Sequence, residues 1–354
     1  MIRVLVVEDT PVVQELLVYL LNSDPAIRVV GTASNGEEAL EAVANKRPDV
    51  VTMDVHMPRL NGLDATRRIM ETHPTPIVVV SGSANPQLTS LAFTAIEAGA
   101  LAVVDRPRGI GHPDHEAGAA QLLRMVKAMS EVPVVKRWVR RDGQQGQPVS
   151  SCAETDGTLP ATVKAVAIGA STGGPPVLHK LLASLPADLP VPILIVQHIS
   201  PGFSEGLVEW LQGTCALPIH LASQGARALP GNVYFAPDGF HMGIEADGKL
   251  SLSQEPAENG HRPSVAHLFR SVTRAFGSHA VGMLLTGMGK DGAQELKLMK
   301  DAGAVTVAQD KSSSVVHGMP GEAILLDGAT FVVHADRLAS MLTRLTNRNE
   351  GVHS

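Results

Sequence analysis

Residues 163–176 read VKAVAIGASTGGPP, and residues 4–22 read VLVVEDTPVVQELLVYLLN. Each is an apolar run that breaks at small or acidic residues and passes into a helical pattern. An apolar run with turn residues behind it and a helix beyond is the start of a βαβ unit. Strands of such units are buried on both faces and belong to parallel sheets. Working outward from 4–22, strands are expected at 2–7, 27–32, 49–53, 76–81 and 101–104. Helices are expected at 11–22, 36–46, 62–72 and 85–98, with a closing helix near 116–130. Working outward from 163–176, strands are expected at 163–168, 191–197, 280–285, 305–308 and 331–333. Helices should lie at 176–184, 204–212, 265–276, 293–302 and 335–346. Between them, 219–253 carries closely spaced turn signals (Pro230-Gly231, Pro237-Asp238-Gly239, Asp247-Gly248), read as antiparallel hairpins.

Two α/β domains follow: 1–130 and 161–347. The segment 131–160 separates them. It has a basic cluster (Lys136, Arg137, Arg140, Arg141), then a Gly-, Gln-, Ser- and Pro-rich run with almost no apolar periodicity, as a linker has. A chain of 354 residues accommodates both domains. Hydrophobic residues at 44% and charged residues at 18% mark it as globular rather than disordered. A net charge of −6 and 3% aromatics argue against binding to nucleic acid. No apolar run reaches the ~18 residues of a membrane span. Glu8 and Asp9 directly after the first apolar run argue against a signal peptide. Cys152 and Cys215 are the only cysteines, too few for a disulfide framework, which fits a reducing cytoplasm.

In a parallel sheet, ligands collect at the carboxyl ends of the strands. Glu8 and Asp9 end the first strand and Asp54 ends the third. If those strands are neighbours, three carboxylates meet, and like charges that close call for a cation. An oxygen-only set suits Mg²⁺. Ser81 and Arg106 end the fourth and fifth strands, a hydroxyl and a cation aimed at the same cleft. One strand-end acid is ordinarily a solvated loop residue; this set at four strand ends is not.

Val-Val-Glu8-Asp9, Met53-Asp54-Val55-His56-Met57-Pro58, Asn61-Gly62 and Val80-Ser81-Gly82 resemble the receiver domain of bacterial response regulators. The resemblance implies a flavodoxin-like (βα)5 fold, with Asp54 accepting a phosphoryl group from a sensor histidine kinase of the chemotaxis type. It implies that Glu8, Asp9, Asp54 and the backbone carbonyl of His56 hold Mg²⁺, with Ser81 and Arg106 contacting the phosphoryl group. Arg106 stands where that family usually has Lys, and Val103 where it usually has an aromatic switch residue. Arginine is a planar fork rather than a compact charge. Pro107 permits a cis bond after Arg106.

The second domain carries Gly169-Ala170-Ser171-Thr172-Gly173 between a strand and a helix, the setting in which G-x-S-x-G exposes a nucleophilic serine. It lacks the Gly-Lys-Ser/Thr ending of a phosphate-binding loop and the G-x-G-x-x-G spacing of a dinucleotide site. A serine nucleophile needs a base. Among 14 histidines, His198 directly follows an apolar strand and so lies on the same rim as Ser171; His261 could also line the cleft. The base needs a carboxylate. Asp291, in a glycine-rich turn beyond 280–285, is the first candidate, with Asp238 and Asp310 as rivals.

The blocks 168–174, 196–198, 236–237, 261–264 and 285–292 closely resemble the catalytic domain of the chemotaxis protein-glutamate methylesterases. With the receiver in front, the resemblance covers nearly the whole chain. The second domain is thus expected to be a doubly wound, mainly parallel α/β domain with an antiparallel hairpin insert. The resemblance implies a Ser171–His198–Asp291 mechanism, with Thr172 and the backbone near Met288 polarising the carbonyl. It implies methylated glutamates and certain glutamines of chemoreceptors as substrates, a cytoplasmic location, and no cofactor for the esterase. A response regulator whose second domain only binds a partner, or a serine hydrolase acting on another ester or amide, are the competing readings. Fusion of a phosphorylation site to a hydrolase suggests that the unphosphorylated receiver covers the Ser171 cleft.

Overall fold

The computed structural model describes residues 1–82, 86–132, 134 and 162–347. Nearly all of the expected linker, its basic cluster included, lies outside these residues.

Strands β1 (Ile2–Val7), β2 (Ile27–Ala33), β3 (Val50–Met53), β4 (Ile77–Ser81) and β5 (Ala102–Asp105) alternate with α1 (Pro11–Asn22), α2 (Gly36–Lys46), α3 (Gly62–Thr72), α4 (Pro86–Ala98) and α5 (His115–Ser130). All pairings are parallel, in the order β2-β1-β3-β4-β5. This is the flavodoxin-like (βα)5 fold. The helix starts are written locally. Pro11 opens α1 where its missing N–H costs nothing. The Asn35 side chain caps α2 and that of Asn61 caps α3 by accepting from helix-start N–H groups. The strand order reverses between β1 and β3, and Val7 pairs with Met53. The residues that follow, Glu8 and Asp54, therefore emerge side by side.

The second sheet has seven parallel strands in the order β14-β13-β12-β6-β7-β9-β8. They are β6 (Ala165–Ala170), β7 (Ile193–Gln197), β8 (Ile219–Leu221), β9 (Val233–Phe235), β12 (Ala280–Leu284), β13 (Val305–Gln309) and β14 (Phe331–Val333). An antiparallel pair, β10 (His241–Ile244) and β11 (Leu250–Ser253), sits apart. The helices are α6 (Gly174–Ala183), α7 (Ser204–Gln212), α8 (Val265–Phe276), α9 (Ala293–Asp301), α10 (Met319–Leu325) and α11 (Leu338–Thr346). Every residue of β6, β7 and β12 is buried, as a sheet covered on both faces requires. From β6 the chain first builds outward through β7 and later returns to β12 on the other side, so the switch point lies at the end of β6.

Three details depart from the sequence reading. Of the segments in 219–253, only β10 and β11 form a hairpin. β8 and β9 join the main sheet in parallel, because the 222–232 connection is long enough to cross over and is itself tied to the hairpin by Ala228 N–H on Gly248 O and Leu250 N–H on Ala226 O. Helix α10 is not among the expected helices; Pro320 falls in its first turn, where a missing N–H costs nothing. The cis peptide bond among the described residues is Arg262–Pro263, not Arg106–Pro107.

The receiver packs on the second domain mainly through α4 against α7. Phe93 is fully buried, stacks on Trp210 with centroids 5.7 Å apart, and meets Phe203 edge-on at 6.4 Å. Trp210 Nε1 donates to Glu97 at 2.9 Å. The helices come close enough that a Cβ on Gly206 would lie 2.1 Å from Thr89 Oγ1.

Candidate active site

Ala170 of β6 pairs with Gln197 of β7, and the ladder continues with His198 N–H donating to Ala170 O at 2.9 Å. Ser171 and His198 thus step off adjacent parallel strands at the same level. The turn after Ser171 depends on two glycines. Gly173 has φ +77°, and a Cβ there would also strike Val315. A Cβ on Gly287 would lie 2.7 Å from the Ser171 Cβ. Gly173 then leads into α6, whose N-terminal N–H groups carry partial positive charge beside Ser171.

His198 Nε2 and Asp291 Oδ2 are 2.9 Å apart, both side chains nearly fully buried. His198 Nδ1 is buried with no hydrogen-bond partner. An ionised carboxylate only accepts, so Nε2 carries the proton and Nδ1 keeps a free lone pair. Asp291 is saturated with donors: Ser264 Oγ at 3.0 Å, Asn259 Nδ2 at 3.0 Å, and the Val265 and Ala266 N–H groups at 2.7 and 3.2 Å. These last two open α8, so the carboxylate sits on a helix N-terminus. Burial alone would raise this carboxyl, but the hydrogen bond from His198, the charge that ring carries when protonated, and the Asn259 and Val265 donors hold it well below the usual carboxylate range. Asp238 and Asp310 are committed elsewhere, to Gly202 and Ser204 and to Ser312 and Ser313.

Ser171, Thr172, His198, His261 and Met288 line one cavity of about 280 Å³. Its far wall is the receiver: Val103 of β5, and Gln121, Arg124 and Met125 of α5. Ser200, two residues after His198, accepts from Gln121 Nε2 at 2.9 Å and from Asp105 N–H at 3.4 Å. Sequence reasoning missed Gln197, whose Nε2 donates to the Ser171 and His198 carbonyls at 2.9 and 2.8 Å. It also missed Asn259 and Ser264. The serine before the apolar start of α8 is an N-cap signal that could have placed a helix end there.

In the receiver, carboxylate oxygens of Glu8, Asp9 and Asp54 lie within 4.8 Å of one another. Burial, then the charge of Asp54, raises Glu8 against the pull of Arg106. Burial raises Asp54 too, against Arg106 and the His56 and Val55 N–H groups. Arg106 Nη2 spans both, 3.0 Å from Glu8 Oε2 and 3.3 Å from Asp54 Oδ2, and its Nε is buried without a partner. Ser81 is buried at the end of β4, where its carbonyl accepts the Arg106 N–H at 2.9 Å. The His56 side chain is exposed.

A family model described as CheB methylesterase matches residues 166–342, and one described as response regulator receiver domain matches residues 4–111. The chain is 56% identical over 345 residues to a protein-glutamate methylesterase/protein-glutamine glutaminase of Nitrosospira multiformis, covering 98% of this chain and 97% of the relative. It is 56% identical over 346 residues to one of Geobacter metallireducens, covering 98% and 99%. The crystal structure of the Thermotoga maritima CheB methylesterase catalytic domain superposes with a TM-score of 0.51 at 37% identity, covering 52% of this chain and 100% of that one. No helix among the described residues is long and apolar enough to cross a membrane. Receiver and methylesterase matches in tandem, with identity of this level along nearly the whole length, mean that the chain belongs to the protein-glutamate methylesterase/protein-glutamine glutaminase family.

Proposed function

We propose that this chain is a phosphorylation-regulated hydrolase of chemosensory adaptation, which removes methyl esters from glutamates of chemoreceptor cytoplasmic domains and deamidates particular receptor glutamines. Residues 1–130 act as receiver, 131–160 as linker and 161–347 as catalytic domain, in the cytoplasm. The observation that carries the reading is the Asp291–His198 hydrogen bond at the wall of the cavity that Ser171 also lines.

Ser171 Oγ attacks the ester carbonyl carbon while His198 Nδ1 takes its proton. Nε2–H stays on Asp291, whose charge stabilises the imidazolium. Thr172 and the backbone near Met288, which line the same cavity, are the groups assigned to the developing oxyanion. The carbon–oxygen bond to the methoxy group breaks, and Nδ1 returns the proton so that methanol leaves. Water then loses a proton to Nδ1, attacks the acyl carbon, and releases glutamate as Ser171 recovers its proton. With glutamine the first leaving group is ammonia.

Asp54 is the phosphoacceptor, with a sensor histidine kinase as donor. The three clustered carboxylates, oxygen-only and forced together, fit Mg²⁺ held by Glu8, Asp9, Asp54 and the His56 carbonyl. The ion, when bound, neutralises charge on the incoming phosphoryl group. Ser81 Oγ and Arg106 are assigned as donors to that group, a reading supported by the buried, unpartnered Arg106 Nε. Arg106 already bridges Glu8 and Asp54, so a phosphoryl group on Asp54 competes for it. Arg106 follows Asp105, whose N–H reaches Ser200. The receiver wall over the cavity supports inhibition of the unphosphorylated chain by cover.

The test is incubation of the full chain, with and without a small phosphodonor, with methylated receptor cytoplasmic fragments, read by mass at individual glutamates. Demethylation stimulated by the phosphodonor and abolished by Ser171→Ala is expected. Persistent hydrolysis by Ser171→Ala moves the nucleophile elsewhere. Receptor binding without methyl loss favours the non-catalytic reading.

A further inference from the structure

The His261 ring lies flat on the His198 ring, centroids 3.9 Å apart and planes 6° from parallel. Aromatic pairs more often meet offset or edge-on with centroids ~4.5–7 Å apart, so a contact this close and flat needs constraint on both rings. His198 is held at its backbone by Ala170 and at its edge by Asp291. His261 is held by a tight turn in which it exchanges two backbone hydrogen bonds with Glu258, at 2.8 and 3.0 Å. Glu258 is clamped by Arg270 of α8 at 2.5 and 2.6 Å. Asn259, in the same turn, donates to Asp291. One turn therefore presents an amide to the carboxylate and a ring to the imidazole.

We propose that His261 is a positioning residue, an aromatic plate that fixes the His198 ring so that Nε2 stays on Asp291 and Nδ1 stays free to take the Ser171 proton. The inference rests on the Ser171–His198–Asp291 reading given above. An imidazole hydrogen-bonded at one edge still has freedom to tilt about that bond, and a plate against its face removes it. The titratable and charged groups around the pair are Asp291 and, from α5, Arg124. Burial, then the charge of a protonated His198 and that of Arg124, lower His261 to about 4 against the pull of Asp291. The plate is therefore neutral where a serine relay operates, and it adds no charge against the imidazolium.

The test uses the full chain with a phosphodonor and methylated receptor fragments, comparing wild type, His261→Ala and His261→Phe. Ring-nitrogen NMR of His198, assigned by its loss in His198→Ala, runs in parallel without substrate. His261→Ala should lower kcat on the order of 10- to 100-fold with little change in KM, and its His198 should become a mixture of tautomers. His261→Phe, which keeps the plate and has no ring nitrogen, should recover most of kcat and the single Nε2–H tautomer. Wild-type kcat and tautomer in His261→Ala would overturn the proposal. So would a His261→Phe enzyme as slow as His261→Ala, since the ring nitrogens would then be what matters. If the wild type releases no methyl group, the esterase reading fails, and the tautomer measurement still decides the role of His261.

Discussion

Asp54 and Asp291 are both buried carboxylates beyond strand ends of a parallel sheet, yet their surroundings push them in opposite directions. Asp54 faces two other acids and shares one guanidinium with Glu8. Asp291 faces an imidazole, a hydroxyl, an amide and two N–H groups at a helix start. Burial acts alike on both. At Asp291 the surrounding donors outweigh burial, and at Asp54 Arg106 and two N–H groups do not. In the proposed function the carboxylate among acids takes up a cation and a phosphoryl group, and the one wrapped in donors stays ionised and supports a charged imidazole.

The largest effect is expected where that contrast is removed on the donor-rich side. Asp291→Asn keeps the shape but reverses the partner's hydrogen-bonding demand, so His198 loses the tautomer with Nδ1 free. Methyl release should fall about 10⁴-fold while the variant still unfolds in one cooperative transition; a loss under about tenfold would show that the carboxylate is not orienting the base. On the acid-rich side, Asp54→Asn should abolish phosphoryl incorporation and leave methyl release identical with and without phosphodonor. Stimulation that survives in Asp54→Asn would place the acceptor elsewhere.

These two sites were not equally legible. The receiver cluster stands out because Glu8, Asp9 and Asp54 directly follow apolar strands, and order β2-β1-β3 then makes them neighbours. Ser171 and His198 were legible for the same reason. The donors around Asp291 were not. Asn259 and Ser264 lie 32 and 27 residues away in sequence, in a turn with no periodic pattern, and they converge only because α8 starts at the sheet's rim. The parallel placement of β8 and β9 escaped notice because turn residues mark a change of direction but not the partner strand. Likewise Gly206 looks like a helix-weakening residue until Thr89 is found against it.

That contact links the two regions. Gly206→Leu would drive a side chain into Thr89 and the Ser90 backbone, and should lift α4 from α7. Methyl release by the unphosphorylated chain should rise toward the phosphorylated rate, while Asp54 phosphorylation persists. An unchanged basal rate would separate this interface from inhibition.

The smallest effects are on stability against pH. Asp291 is lowered in the folded state, so its contribution is full above the unfolded carboxylate range, about pH 4, and is lost as pH falls through its folded value. Glu8 and Asp54 are raised, so they cost stability at neutral pH, and that cost is relieved as pH falls through their folded values toward about 4. Denaturant titrations over pH should therefore find Asp291→Asn less stable than wild type at pH 7 with a shallower loss in acid. Asp54→Asn should melt higher than wild type at pH 7, with the gain shrinking toward pH 4. Parallel profiles for the two variants would refute the opposite assignments.

The central claim is that Ser171 is acylated by receptor glutamate with His198 and Asp291 behind it. Acid-quenching the phosphorylated chain during turnover of methylated receptor fragment, followed by peptide mapping, tests it directly. The account predicts a receptor glutamyl peptide ester-linked to Ser171, absent in Ser171→Ala. An adduct on another residue, or methyl release continuing in Ser171→Ala, would contradict it.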